Sequence, residues 1–133
     1  MVGYERMKKL VIVLLVLLAG CTTSPTKSKA DIEQLRYITK QKQMGYLICI
    51  KDASLIYSKS NSSASEAAQA ALSKCDFNLS EVTTASFNQL QAVGKHDMTS
   101  LDIKMANEYS ENLKRDSYDN AVRYIIEQRL KKP

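Results

Sequence analysis

Tryptophan is absent from these 133 residues, histidine occurs once, and the two prolines stand at positions 25 and 133. With only four glycines as well, the chain between the prolines has few helix breakers, so long helices are permitted there. The single histidine, His96, cannot form a two-histidine metal site, and no Cys-x-x-Cys spacing offers thiolates instead. A phosphate-binding loop and a G-x-S-x-G elbow are also missing. Charge of a single sign is lacking too. The 19 basic and 14 acidic side chains are mixed along the chain, which is not the pattern of a nucleic-acid-binding stripe.

One long apolar run is present, the ten residues Leu10 to Ala19. A bilayer-spanning helix needs roughly twenty such residues, so neither a transmembrane anchor nor a buried core helix fits well. The run follows Met7-Lys8-Lys9 and ends in small residues, the order of a secretory signal peptide over residues 1–20 with its true start at Met7. It closes on Leu18-Ala19-Gly20-Cys21. These four residues resemble the lipobox of bacterial lipoproteins at every position; the competing reading is an ordinary signal peptide with a chance cysteine. The resemblance implies that the Cys21 thiol receives a diacylglyceryl group, that a peptidase cuts just before it, and that the new amine is acylated. Membrane lipid is then the first partner, held through two or three acyl chains. Thr22, not Asp, follows the cysteine. In Gram-negative lipoproteins this implies an outer-membrane location facing the periplasm; otherwise the outer face of the cell membrane is expected.

Cleavage before Cys21 removes 20 of the 133 residues and leaves 113. Loss of Glu5, Arg6, Lys8 and Lys9 lowers the charged side chains to 16 basic and 13 acidic, net +3. Residues 21–30 are polar and contain one proline, so they read as a lipidated cysteine and a flexible tether. Residues 31–133 are enough for one domain with a modest core. Its two cysteines, Cys49 and Cys75, favour a disulfide in an oxidising compartment, the alternative being two buried thiols.

The expected fold is all-α: a small antiparallel three-helix bundle on the tether, stapled by Cys49–Cys75. The first helix begins near Asp31, with Ile32, Leu35 and Ile38 on one side. Residues 45–57, "GYLICIKDASLIY", continue it or form a β-hairpin turning at "KDAS". Helix is preferred, because Cys49, Ala53 and Ile56 then share a face. In the second, Ser63 and Glu66 form a capping box. Ala64, Ala68, Ala71, Cys75, Leu79, Val82, Leu90 and Val93 make its stripe up to a stop at Gly94. The third runs from Thr99 or Ser100 to about Lys131, with Leu101, Met105, Tyr109 and Leu113 marking its inner face, Ala121, Tyr124, Ile125 and Gln128 continuing it less cleanly, and a possible break near "RDSYD".

No catalytic group is expected, and neither cofactor nor metal. His96 reads as a solvated loop residue beside Asp97. Glu108 with Glu111 and Asp116 with Asp119 are carboxylate pairs at i, i+3 with Lys114, Arg115 and Arg123 nearby, the pattern of a charged solvent face. Seven tyrosines are the compositional oddity. Tyrosine suits both the edges of small cores and protein interfaces, and Tyr37 and Tyr118 are the first candidates for a partner-binding face on helices one and three. The expected function is a membrane-anchored, non-enzymatic binding or assembly module for another envelope protein. In size and plan alone it resembles the pilotins that escort secretin subunits; an exclusion-type lipoprotein is a second version. A cell-envelope enzyme such as a peptidoglycan hydrolase is the alternative.

Overall fold

The computed structural model describes residues 27–94 and 99–131, and all four elements among them are helices. α1 spans Lys29–Tyr57, α2 Ala64–Lys74, α3 Asp76–Val93 and α4 Thr99–Leu130. The hairpin alternative for residues 45–57 is excluded, because α1 runs through them without a break. Its start is fixed three residues before Asp31. Ser28 accepts the Asp31 amide on its hydroxyl, while the Asp31 carboxylate takes the Ser28 N–H at 2.9 Å. Ser63 and Glu66 repeat this reciprocal cap at the start of α2, as the sequence predicts.

The second leg of the bundle is not one helix. It breaks at Cys75, which caps the end of α2 and the start of α3 with φ −103° and ψ 10°. There the Cys75 N–H donates to the Leu72 carbonyl at 2.9 Å, one residue short of α-helical spacing. The Cys75 side chain offers no cap to α3; its sulfur is joined to Cys49 of α1, with the two Cα atoms 6.0 Å apart. The staple therefore ties the middle of α1 to the hinge of the second leg.

Small residues let the legs approach closely. Ala67, Ala68 and Ala71 of α2, Ala53 of α1 and Ala121 of α4 are all buried around Tyr46, Val82 and Ile125. The polar cross-links show the directions of the legs. Cys49 is joined to Cys75 and Lys42 pairs with Glu81 at 2.6 Å, so α1 is antiparallel to the second leg. Tyr118 bonds to Ser65, Lys114 approaches Asp76 at 3.7 Å and Thr83 bonds to Ser110 at 2.7 Å, so α4 is antiparallel to the α2–α3 leg. α1 and α4 consequently run parallel. Arg129, near the end of α4, donates to the carbonyls of Ser58 and Ser60 just past the end of α1.

α4 is continuous through "RDSYD"; Leu113, Ala121 and Ile125 face the core as expected, but in its first turns the inner face lies one residue from the expected one. Leu101, Met105 and Tyr109 are exposed, whereas Asp102, Ala106 and Ser110 are buried. Close packing on α3 selects the smaller side chains: Ser110 meets Thr83, and Asp102 accepts from Gln91. Ile56, expected beside Cys49 and Ala53, is likewise exposed.

Candidate functional site

Among the described residues the chemistry-bearing side chains do not converge. Cys21 and His96 lie outside the described residues. Glu108, Glu111, Asp116 and Asp119 are exposed on α4; Glu108 approaches Lys104 at 3.8 Å and Asp116 approaches Arg115 at 4.0 Å. Such surface pairs contribute little, about 0–1 kcal/mol. Among the described residues no three His, Cys, Asp or Glu side chains are grouped to hold a metal ion. No described helix is long and apolar enough to cross a membrane.

Tyr37 and Tyr118 occupy different faces. Tyr37 projects from α1 into solvent, on the side opposite Tyr46. Tyr118 is half-buried against α2, where its hydroxyl meets Ser65. The seam between α1 and α4 holds other tyrosines. Toward the start of the two helices, a cavity of about 450 Å³ lies between Thr39 and Gln43 of α1 and Met105 and Tyr109 of α4, with Ser86 and Leu90 of α3 as its floor. Farther along, a second cavity of about 240 Å³ lies between Leu47, Ile50 and Ser54 on α1 and Ser117, Ala121 and Tyr124 on α4. The two are in line, because α1 and α4 are parallel.

This seam is the least cross-linked part of the bundle. Among the described residues no side-chain hydrogen bond or ion pair joins the helical body of α1 to α4; Arg129 reaches only the residues after α1. It also collects unpaired polar groups. The buried hydroxyls that lack a partner among the described residues are those of Tyr46, Ser54, Ser86 and Ser117. Ser86 lines the first cavity, and Ser54 and Ser117 line the second. Tyr46, 1% exposed, sits between them, its hydroxyl facing Ser117 without closing a well-directed bond. Burial pushes the Tyr46 phenol above its ordinary range, and burial raises Tyr109 as well, so both stay protonated donors.

An unmet buried hydroxyl costs about 1–3 kcal/mol. Four such groups lie at or beside this one seam, which lowers the stability of that side of the bundle. The rim cations are Arg36, Lys40 and Lys51, with no carboxylate among the residues that line either cavity.

The hydroxyls were hidden from sequence reasoning because a serine in a helix ordinarily bonds the carbonyl a turn back. The tyrosine count does not say which tyrosine stands on which face: Tyr109 and Tyr124 line the α1–α4 cavities, and Tyr37 and Tyr118 do not. Comparison with known proteins finds no matching family model, no matching curated protein and no matching solved structure.

Proposed function

We propose that this chain is a lipid-anchored bacterial envelope lipoprotein whose helical domain is a non-enzymatic binding module for another envelope protein, with the α1–α4 seam as its binding face. The observation that carries the reading is the set of unpaired buried hydroxyls along a seam with no direct α1–α4 cross-link. Cys21 supplies the anchor, at the outer membrane in a Gram-negative cell. The seven residues Thr22–Ser28 reach at most about 25 Å, so the start of α1 stays near the lipid surface.

Tyr109 and Tyr124 are the anchor residues of this face, in place of Tyr37 and Tyr118, which lie off the seam. An interface tyrosine at a hot spot carries about 2 kcal/mol, roughly a thirty-fold change in affinity. Tyr109→Glu and Tyr124→Glu should each abolish capture of the envelope partner in a periplasmic cross-linking pull-down. His96→Ala, Glu108→Ala and Asp116→Ala should leave both capture and the cellular phenotype intact. A phenotype that depends on one of those three and on neither tyrosine would refute the binding reading and favour an enzyme.

A further inference from the structure

The side of α1 that faces away from the bundle is itself apolar. Tyr37, Met44, Ile48 and Leu55 are 63%, 51%, 55% and 41% exposed. Their spacings of seven, four and seven residues place them within about 40° of one another around the helix axis. They lie opposite Thr39, Tyr46 and Ala53, which face the core. Along one edge run Lys29, Lys40 and Lys51, each eleven residues from the next and so nearly in line. The outer half of α1 carries these three lysines against two carboxylates, Glu33 and Asp52, and Glu33 is bridged at 2.9 Å by Arg36 from the seam side.

We propose that this outward face of α1 rests on an anionic lipid surface, with Tyr37, Met44, Ile48 and Leu55 entering the headgroup boundary and Lys29, Lys40 and Lys51 meeting lipid phosphates. The inference rests on the lipoprotein reading for proximity: the last residue before α1, Ser28, is seven residues from Cys21. An apolar helix face edged by lysines is the pattern of interfacial helices. The occupant is lipid and not a second copy because Lys51 and Lys40 border the stripe along its length, within about 40° of its nearest edge. A helix–helix seam would bury those ammonium groups, whereas at a lipid surface they extend to the phosphates while their stems cover the apolar boundary. Lys40 and Lys51 also line the α1–α4 cavities, so the resting face and the binding face share one edge of α1.

The test uses the mature chain with Cys21→Ser, secreted so that its disulfide forms, and cosedimentation with vesicles of phosphatidylcholine alone or with phosphatidylglycerol added. Binding is expected to the anionic vesicles and to fall with salt. Each lysine near such a surface is worth about five-fold in partitioning, so Lys40→Glu/Lys51→Glu should weaken binding at least about twenty-five-fold. Met44→Glu/Ile48→Glu, at exposed positions that leave the fold and melting temperature unchanged, should abolish it. Equal binding to the two vesicle types, no binding to either, or binding indifferent to the Met44/Ile48 change would overturn the proposal. So would a dimer in sedimentation velocity that Met44→Glu/Ile48→Glu dissolves, which would assign the face to a second copy. None of these outcomes depends on acylation. Palmitate labelling of the unmodified chain tests the anchor separately, so the two readings fail independently.

Discussion

Breaking the Cys49–Cys75 bridge is the most quantitative perturbation available. The two cysteines are 26 residues apart, and in the chain-entropy model closing a loop of that size removes about 12 cal/mol/K from the unfolded ensemble, about 3.5 kcal/mol at 25 °C. For a domain of about 100 residues, 1 kcal/mol moves the melting temperature by roughly 4–8 °C, so reduction should lower it by about 14–28 °C. The clean variant is Cys49→Ala/Cys75→Ala. Cys75 is fully buried beside Ala71 and Leu72, and alanine there avoids two unpaired thiols at the cost of a small cavity. The assay is thermal circular dichroism of the secreted chain, with and without reductant, alongside the double variant. Reduction and substitution should give the same shift, and helicity below the transition should persist because α1 and α2 carry their own caps. A shift under about 5 °C, or two reactive thiols in the unreduced protein, would refute the reasoning.

Replacing Cys21 by Ser should abolish palmitate incorporation and move the protein out of the detergent phase; unchanged labelling would remove the lipoprotein reading. Acid should weaken the two capping boxes. The Ser28 hydroxyl and backbone amide hold Asp31 below its ordinary pKa, and the Ser63 amide and hydroxyl do the same for Glu66. A depressed folded pKa gives stability that is present above the unfolded value, about 4, and lost as pH falls through the folded one. The melting temperature should therefore drop on acidification below about pH 4.5, and less steeply in Asp31→Asn/Glu66→Gln. Arg129→Ala leaves the Ser58 and Ser60 carbonyls without their charged donor, at a cost of about 1.5–3 kcal/mol by chemical denaturation. Lysine at that position should restore only part of it, since one ammonium does not reproduce the two-pronged guanidinium.

Much of the fold is legible in the sequence where side-chain chemistry acts locally. The Ser63–Glu66 box needs four residues and no tertiary context, and the stripe from Ala68 through Val82 has one dominant period. Features set by how closely two helices approach are not legible. α4 carries two sets of residues with the same spacing, Leu101–Met105–Tyr109 and Asp102–Ala106–Ser110. Hydropathy favours the first set as the core face. The interhelical distance decides for the second, because Thr83 can reach Ser110 only if nothing larger intervenes. The break at Cys75 is hidden for a related reason, since a cysteine in a helical period carries no local stop signal. The seam was the least legible feature: it consists of bonds that are not made.

The run Tyr46-Leu47-Ile48-Cys49-Ile50 joins these observations. An apolar run with no period reads poorly as a surface helix, since a helix apolar on all sides is ordinarily buried on all sides. In α1 each direction has a different use. Tyr46 and Ile50 face the core, Cys49 binds the hinge of the second leg, Leu47 lines the seam with α4, and Ile48 points outward. A domain in which half of the buried hydrophobic residues are alanine gains little from each of those side chains, since alanine adds few methylenes, and unpaired hydroxyls on the seam cost more. The disulfide offsets that cost on the α1–α2–α3 side and leaves the α1–α4 side unstapled. A bundle built for stability alone would place its cross-link where packing is weakest, across that seam. Its place between α1 and the second leg instead keeps those elements fixed and leaves the helical bodies of α1 and α4 joined by packing, without a side-chain cross-link among the described residues.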